Sequence, residues 1–133
     1  MLVATQTVTT PADGFTTDKV RWYEISVSGT PALVQQGTID PGPGIATYNG
    51  NIAINADGAL GVTYMQSSIN QFVSMYITGQ VPGAPLGTLS PGVLAQAGSL
   101  SQPDSFRTGD YSGIAVDPSD GTPTPRTPRG APC

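Results

Sequence analysis

Glycine and proline interrupt every longer stretch of this sequence, and that spacing limits the possible folds more than any other feature. The 133 residues include 17 glycines and 13 prolines, nearly a quarter of the chain. Glycine weakens helix interiors and proline breaks them, so no helix longer than about two turns is expected. What remains is a set of short runs rich in Thr, Ser, Val and Ile, in which apolar residues alternate with period two. Only 11% of residues are charged and 38% are hydrophobic, which excludes a disordered polyampholyte and a coiled coil. The expected class is all-β, in one domain of ordinary size.

The strands are bounded by turn residues. Leu2 to Thr10 is β-branched and ends at Pro11, with Asp13-Gly14 as the turn. Val20 to Ser28 and Ala32 to Ile39 follow, and then Asp40 to Gly44 holds two prolines and two glycines that forbid regular structure. Asn51–Asn55 and Ala59–Gln66 flank Asp57-Gly58, a strong hairpin signal. In the second of these strands Leu60, Val62 and Tyr64 make a bulky face, and Ala59, Gly61 and Thr63 make a small one suited to close packing on a neighbouring sheet. Phe72–Thr78 and Gly92–Ala97 complete the set, separated by a long proline-containing loop.

Two segments recur at nearly the same separation. Ile52-Ala53-Ile54-Asn55 matches Ile114-Ala115-Val116-Asp117 at 62 residues, each leading into Asp-Gly, and Leu33 to Gly37 matches Leu94 to Gly98 at 61. A repeat of four short strands within about 40–60 residues is the signature of a β-propeller blade. Phased this way, residues 1–121 are a partial β-propeller. Residues 2–39 supply three strands without an inner first strand, 51–98 a complete four-stranded antiparallel blade, and 110–121 the start of the next. One complete blade with portions of two neighbours cannot close a ring, so the chain is expected to be a fragment of a larger protein or to assemble with other chains. Residues 122–133 lose the pattern and read as a Pro-rich disordered or out-of-frame tail.

Charge and residue inventory exclude several functions. Residues 1–121 carry Lys19, Arg21 and Arg107 against all nine acids, a balance that repels phosphate backbones, so no nucleic-acid partner is expected. No apolar run suggests membrane insertion, and Met1 to Thr10 lacks the basic start and apolar core of a signal peptide. With no histidine and Cys133 alone, imidazole catalysis and paired-cysteine sites are absent, and neither a metal site nor a cofactor is expected.

Trp22-Tyr23-Glu24, Leu33 to Gly37, Ile52 to Asn55 with Gly58, Tyr64 to Ser68, and Arg107 to Gly113 with Val116-Asp117-Pro118 resemble repeated segments of large exported bacterial proteins with a sialidase-like β-propeller. The Gly-Asp-Tyr-Ser and Val-Asp-Pro pair is the most specific part. In that family a strand containing Phe-Trp usually follows the Asp-Gly turn, and here the sequence departs from Thr122 onward. The resemblance implies an extracellular or cell-surface setting for the parent protein and implies no reaction. The corresponding function is a non-enzymatic structural or interaction fragment, whose partners are the remaining blades or other copies of itself, with carbohydrate as a further candidate. The rival is a fragment of a sialidase-type glycoside hydrolase with its catalytic residues on missing blades. Such enzymes use a Tyr nucleophile, an acid/base Asp and an arginine cluster, and the body offers only Arg21 and Arg107.

If the chain binds a ligand, Arg107, Asp110 and Tyr111 are the first candidates, because they fall where a loop enters an inner strand. The plainer reading makes Asp110 and Ser112 hydrogen-bonding links at a blade junction. Asp117, Ser119 and Asp120, like Asn55 and Asp57, offer too few oxygens for calcium and read as Asx turns. Trp22, Tyr23, Tyr64, Phe72 and Tyr76 could stack on sugars, but packing between sheets explains them more simply.

Overall fold

The computed structural model describes residues 1–9, 11, 14, 16–101, 112–119, 121 and 123–126. Their elements are nine strands, with no α-helix. Strands β1 (Leu2–Thr9), β2 (Asp18–Ser26) and β3 (Ala32–Ile39) form a three-stranded antiparallel sheet in that order. The second sheet runs β4 (Ala46–Ile54), β5 (Leu60–Ser68), β6 (Gln71–Gln80) and β7 (Val93–Gln96), and β8 (Gly113–Val116) pairs with β9 (Pro123–Arg126). All neighbours are antiparallel.

Period-two patterning decides which faces are buried. On β2, Val20, Trp22 and Glu24 point inward, and on β5 the equivalent places are held by Val62, Tyr64 and Gln66. Burying each large apolar side chain contributes roughly 1.5–3 kcal/mol. The small face of β5 meets the third sheet: a Cβ on Gly61 would lie 2.6 Å from Pro123 Cβ and 2.8 Å from Ile114 Cδ1. The contrast of bulky and small faces therefore sets how the sheets stack. At the turn between β4 and β5, Gly58 adopts φ +86° and donates to Asn55 O at 3.1 Å, closing the hairpin expected from Asp57-Gly58.

Three sequence expectations change. First, β4 starts at Ala46, five residues before the alternating run, because a bulge between Tyr48 and Asn51 breaks the period and holds Asn49 at φ +50°. Second, β4 lies against β1 and β2, and β8 lies against β4 and β5. Strand β1 thus packs on β4 as β4 packs on β8, and among the described residues no strand lies beyond β3. The likeness of Leu33–Gly37 to Leu94–Gly98 had paired β3 with β7. Both are exposed outer strands and so share composition without sharing a place. Third, strand structure continues past Thr122, since Pro123–Arg126 pairs with β8. Pro123 and Pro125 alternate, so their missing N–H groups fall on one edge of β9, and the other edge keeps the donors of Thr124 and Arg126.

Candidate functional site

Arg107, Asp110 and Tyr111, the residues first expected to bind a ligand, lie outside the described residues. Their neighbour Ser112 does link a junction: its hydroxyl donates to Asn49 O at 3.4 Å and accepts from Asn51 Nδ2, tying the entry of β8 to the bulge of β4. The Asx-turn readings also hold for the residues in view. Asp117 Oδ1 accepts from Ser119 N at 2.8 Å and Ser119 Oγ at 2.6 Å, and these bonds hold its carboxyl below the usual range, the hydroxyl bond contributing most. Asn55 Oδ1 accepts from Asp57 N and Ala59 N. Among the described residues, no group of three or more His, Cys, Asp or Glu side chains is placed to hold a metal.

The sheets instead enclose a cleft of about 470 Å³ between β2 and β3 on one side and β5 and β6 on the other. Trp22 forms part of one wall. Its indole lies over Gly37, where a Cβ would sit 2.6 Å from Trp22 Nε1 and 2.8 Å from Gly87 O, so glycine lets the indole and the 81–91 loop approach β3 together. Across the cleft Tyr64 and Tyr76, paired on neighbouring strands, stack with centroids 5.7 Å apart and planes 22° from parallel. Glycine is again required at position 92, since a Cβ there would fall 2.0 Å from Tyr64 Oη.

The amide of Gln66 and the carboxylate of Asp40 also line the cleft. Gln66 Nε2 donates to Gln71 Oε1 at 2.9 Å, and Gln71 Nε2 donates to Tyr76 Oη at 2.6 Å, so the Tyr76 hydroxyl proton is left for another acceptor. At the cleft's end, Asp40 Oδ1 accepts from Lys19 Nζ at 2.7 Å and Gly42 N at 3.0 Å. The Lys19 bond, with the Gly42 bond second, holds the Asp40 carboxyl below its ordinary 3.8. Lys19 itself is 2% exposed and donates further to Gly42 O at 3.1 Å and Ile45 O at 2.8 Å, so all three ammonium protons are used. This bonding fixes the Asp40–Gly44 turn that the two prolines and glycines leave without regular structure.

The loop that forms the far wall is fixed by a second polar cluster. Gln35 Nε2 donates to Glu24 Oε2 at 2.5 Å and to Gln80 Oε1 at 2.8 Å, and Gln80 Nε2 returns a bond to Gln35 Oε1 at 3.1 Å. Gln80 also reaches Pro85 O and Thr88 O, and Gly87 N donates to Gln35 Oε1 at 2.9 Å. Buried amides are expensive when unpaired. Here each one ties the loop or the second sheet to the first.

No family model, curated protein or solved structure matches this chain. The chemistry of the cleft is therefore read from its own groups. Burial, with the neighbouring Tyr76 adding to it, pushes the Tyr64 phenol up to about 12, so it stays protonated at neutral pH. The sequence assigns Trp22, Tyr64 and Tyr76 to packing, and Trp22 and Tyr64 are buried, with Tyr76 stacked on Tyr64; it does not single out Gln66 or Asp40, which line the cleft. Tyr23 and Phe72 stand apart: Tyr23 Oη accepts from Gln6 Nε2 on the other face of β2, and Phe72 is 48% exposed. A usable signal was present, since Val20-x-Trp22-x-Glu24 and Val62-x-Tyr64-x-Gln66 repeat the same inward order 42 residues apart.

Proposed function

We propose that this chain is a non-enzymatic structural or interaction portion of a sialidase-like β-propeller protein of the exported type, whose sheets are blades completed by further blades or by other copies. The observation that carries the reading is the repeated stacking: β4 lies on β1 and β2 as β8 lies on β4 and β5. A second support is the unequal sheets. Strand β6 has β7 as a fourth-strand partner, whereas β3 has no outer partner among the described residues, and the six residues 40–45 joining it to β4 leave no room for one. Leu33 and Val34 on that strand are 54% and 38% exposed, and β3 carries neither proline nor charge to discourage pairing. The non-enzymatic part rests on the residue inventory, which holds no histidine, one cysteine and, in residues 1–121, two arginines.

Sedimentation over a range of concentrations tests this reading. The chain is expected to associate, and Leu33→Lys with Val34→Lys is expected to shift it toward monomer with an unchanged far-ultraviolet dichroism spectrum. A monodisperse monomer with cooperative unfolding would contradict the proposal.

A further inference from the structure

The inter-sheet cleft has properties that the stacking of sheets does not require. It is large enough for a small ligand, since such sites usually measure about 300–1,000 Å³. Among the described residues its lining holds the buried rings of Trp22 and Tyr64, the half-buried ring of Tyr76 and one charged group, the carboxylate of Asp40, whose countercharge, Lys19, is buried and fully bonded. Arg21 lies on the opposite face of β2 from Trp22 and donates to Thr38 Oγ1. An anionic ligand would therefore meet a carboxylate and no free cation among the described lining groups.

We propose that this cleft is a binding site for a neutral pyranose of one or two rings. A pyranose has an apolar face of C–H groups and a rim of hydroxyls. The cleft offers both counterparts: the half-buried ring of Tyr76 for the face, with the buried Trp22 packed behind the opposite wall, and the Tyr76 hydroxyl, the Gln66 amide and the Asp40 carboxylate for the rim. Tyr64 covers one side of Tyr76 in a near-parallel stack, so a ligand ring extends that stack instead of entering a cage of perpendicular rings. The open volume and the near-parallel tyrosines make this a poor enclosure for a compact quaternary ammonium ion, which the aromatic groups alone would also attract. The polar groups are held before any ligand arrives, Asp40 by Lys19 and Gly42, and Tyr76 by Gln71. The inference stands on the cleft alone and is independent of whether the sheets are propeller blades.

Trp22 is the only tryptophan in the sequence, so intrinsic fluorescence reports on this cleft directly. The chain is titrated with cellobiose, lactose and N,N′-diacetylchitobiose, with choline chloride as the cationic control. Saturable change with at least one disaccharide and none with choline is expected, together with amide shifts at Thr78, Ser90 and Gly92 in heteronuclear spectra. Tyr76→Phe, which keeps the ring, is expected to weaken binding about five-fold. Ser90→Phe, which fills the cleft wall, is expected to abolish it with the dichroism spectrum unchanged. No response to any of the three sugars, a response to choline alone, or sugar binding that survives Ser90→Phe would each overturn the assignment.

Discussion

Replacing Gly50 by valine is expected to lower stability by about 3 kcal/mol, the upper end of the usual cost of overpacking, and to lower the melting midpoint by roughly 10 °C. Gly50 lies in the bulge of β4, where that strand crosses the first sheet. A Cβ there would lie 2.6 Å from Val20 Cγ1 and 3.4 Å from Thr5 Cβ, and Val20 is fully buried and cannot swing away. The same approach lets Thr5 Oγ1 donate to Gly50 O at 2.6 Å, a bond that would be lost as the strands part. Gly113→Ala serves as the control, since a Cβ there meets nothing within 4 Å, and it is expected to change stability by less than about 0.5 kcal/mol. Denaturant melts of the two variants against the parent chain make the comparison. Equal stability of all three would mean that β4 does not lie on β2.

Lys19→Met is the second large effect, with an expected loss of about 2 kcal/mol near neutral pH, arising from partly buried acceptors left without a donor. Methionine fills a similar volume but supplies no proton to Asp40, Gly42 O or Ile45 O, all of which the ammonium now satisfies. The carboxylate itself is half exposed and can recover water, so the carbonyls and the loosened 40–45 turn carry most of the cost. The pH dependence follows from the sign of the Asp40 shift. Its folded pKa is below 3.8, so the Lys19 contact contributes fully above that value and is lost as pH falls through the lower folded pKa. Melts at pH 7 and pH 3 should therefore show a smaller acid-induced loss attributable to this pair in Lys19→Met than in the parent chain. Equal acid sensitivity would show that the pair does not govern this region.

Most strands were legible in the sequence because half-buried sheets impose period two, and Val20, Trp22 and Glu24, or Leu60, Val62 and Tyr64, obey it. Ala32–Ile39 is matched residue for residue, since Pro31 and Asp40-Pro41 bound it sharply. The first half of β4 was hidden by its bulge, where Asn49 leaves the extended region and the inward side alternates no longer. Strand β9 was hidden by prolines whose spacing, and not whose number, decides whether an edge can pair. The phase of the first sheet was misread because β3 and β7 resemble each other as exposed strands. The cleft was the least legible feature. Its groups come from β2, β3 and the turn after it, β5, β6 and the loop before β7, and only the stacking of the two sheets brings Trp22, Tyr76 and Asp40 to one space.

The central claim is that the sheets stack in series, with β4 on the first sheet and β8 and β9 on the second. Nuclear Overhauser contacts test it most directly, through Gly50 Hα with the Val20 γ-methyls and through Gly61 Hα with the Ile114 δ-methyl. Gly50 and Val20, like Gly61 and Ile114, belong to different sheets, so neither contact arises from strand pairing within one sheet. The stacked arrangement predicts both contacts in one sample, alongside the cross-strand contact of Tyr64 with Tyr76. Retention of the Tyr64–Tyr76 contact with loss of both inter-sheet contacts would mean that the sheets form but do not stack, and would contradict the account.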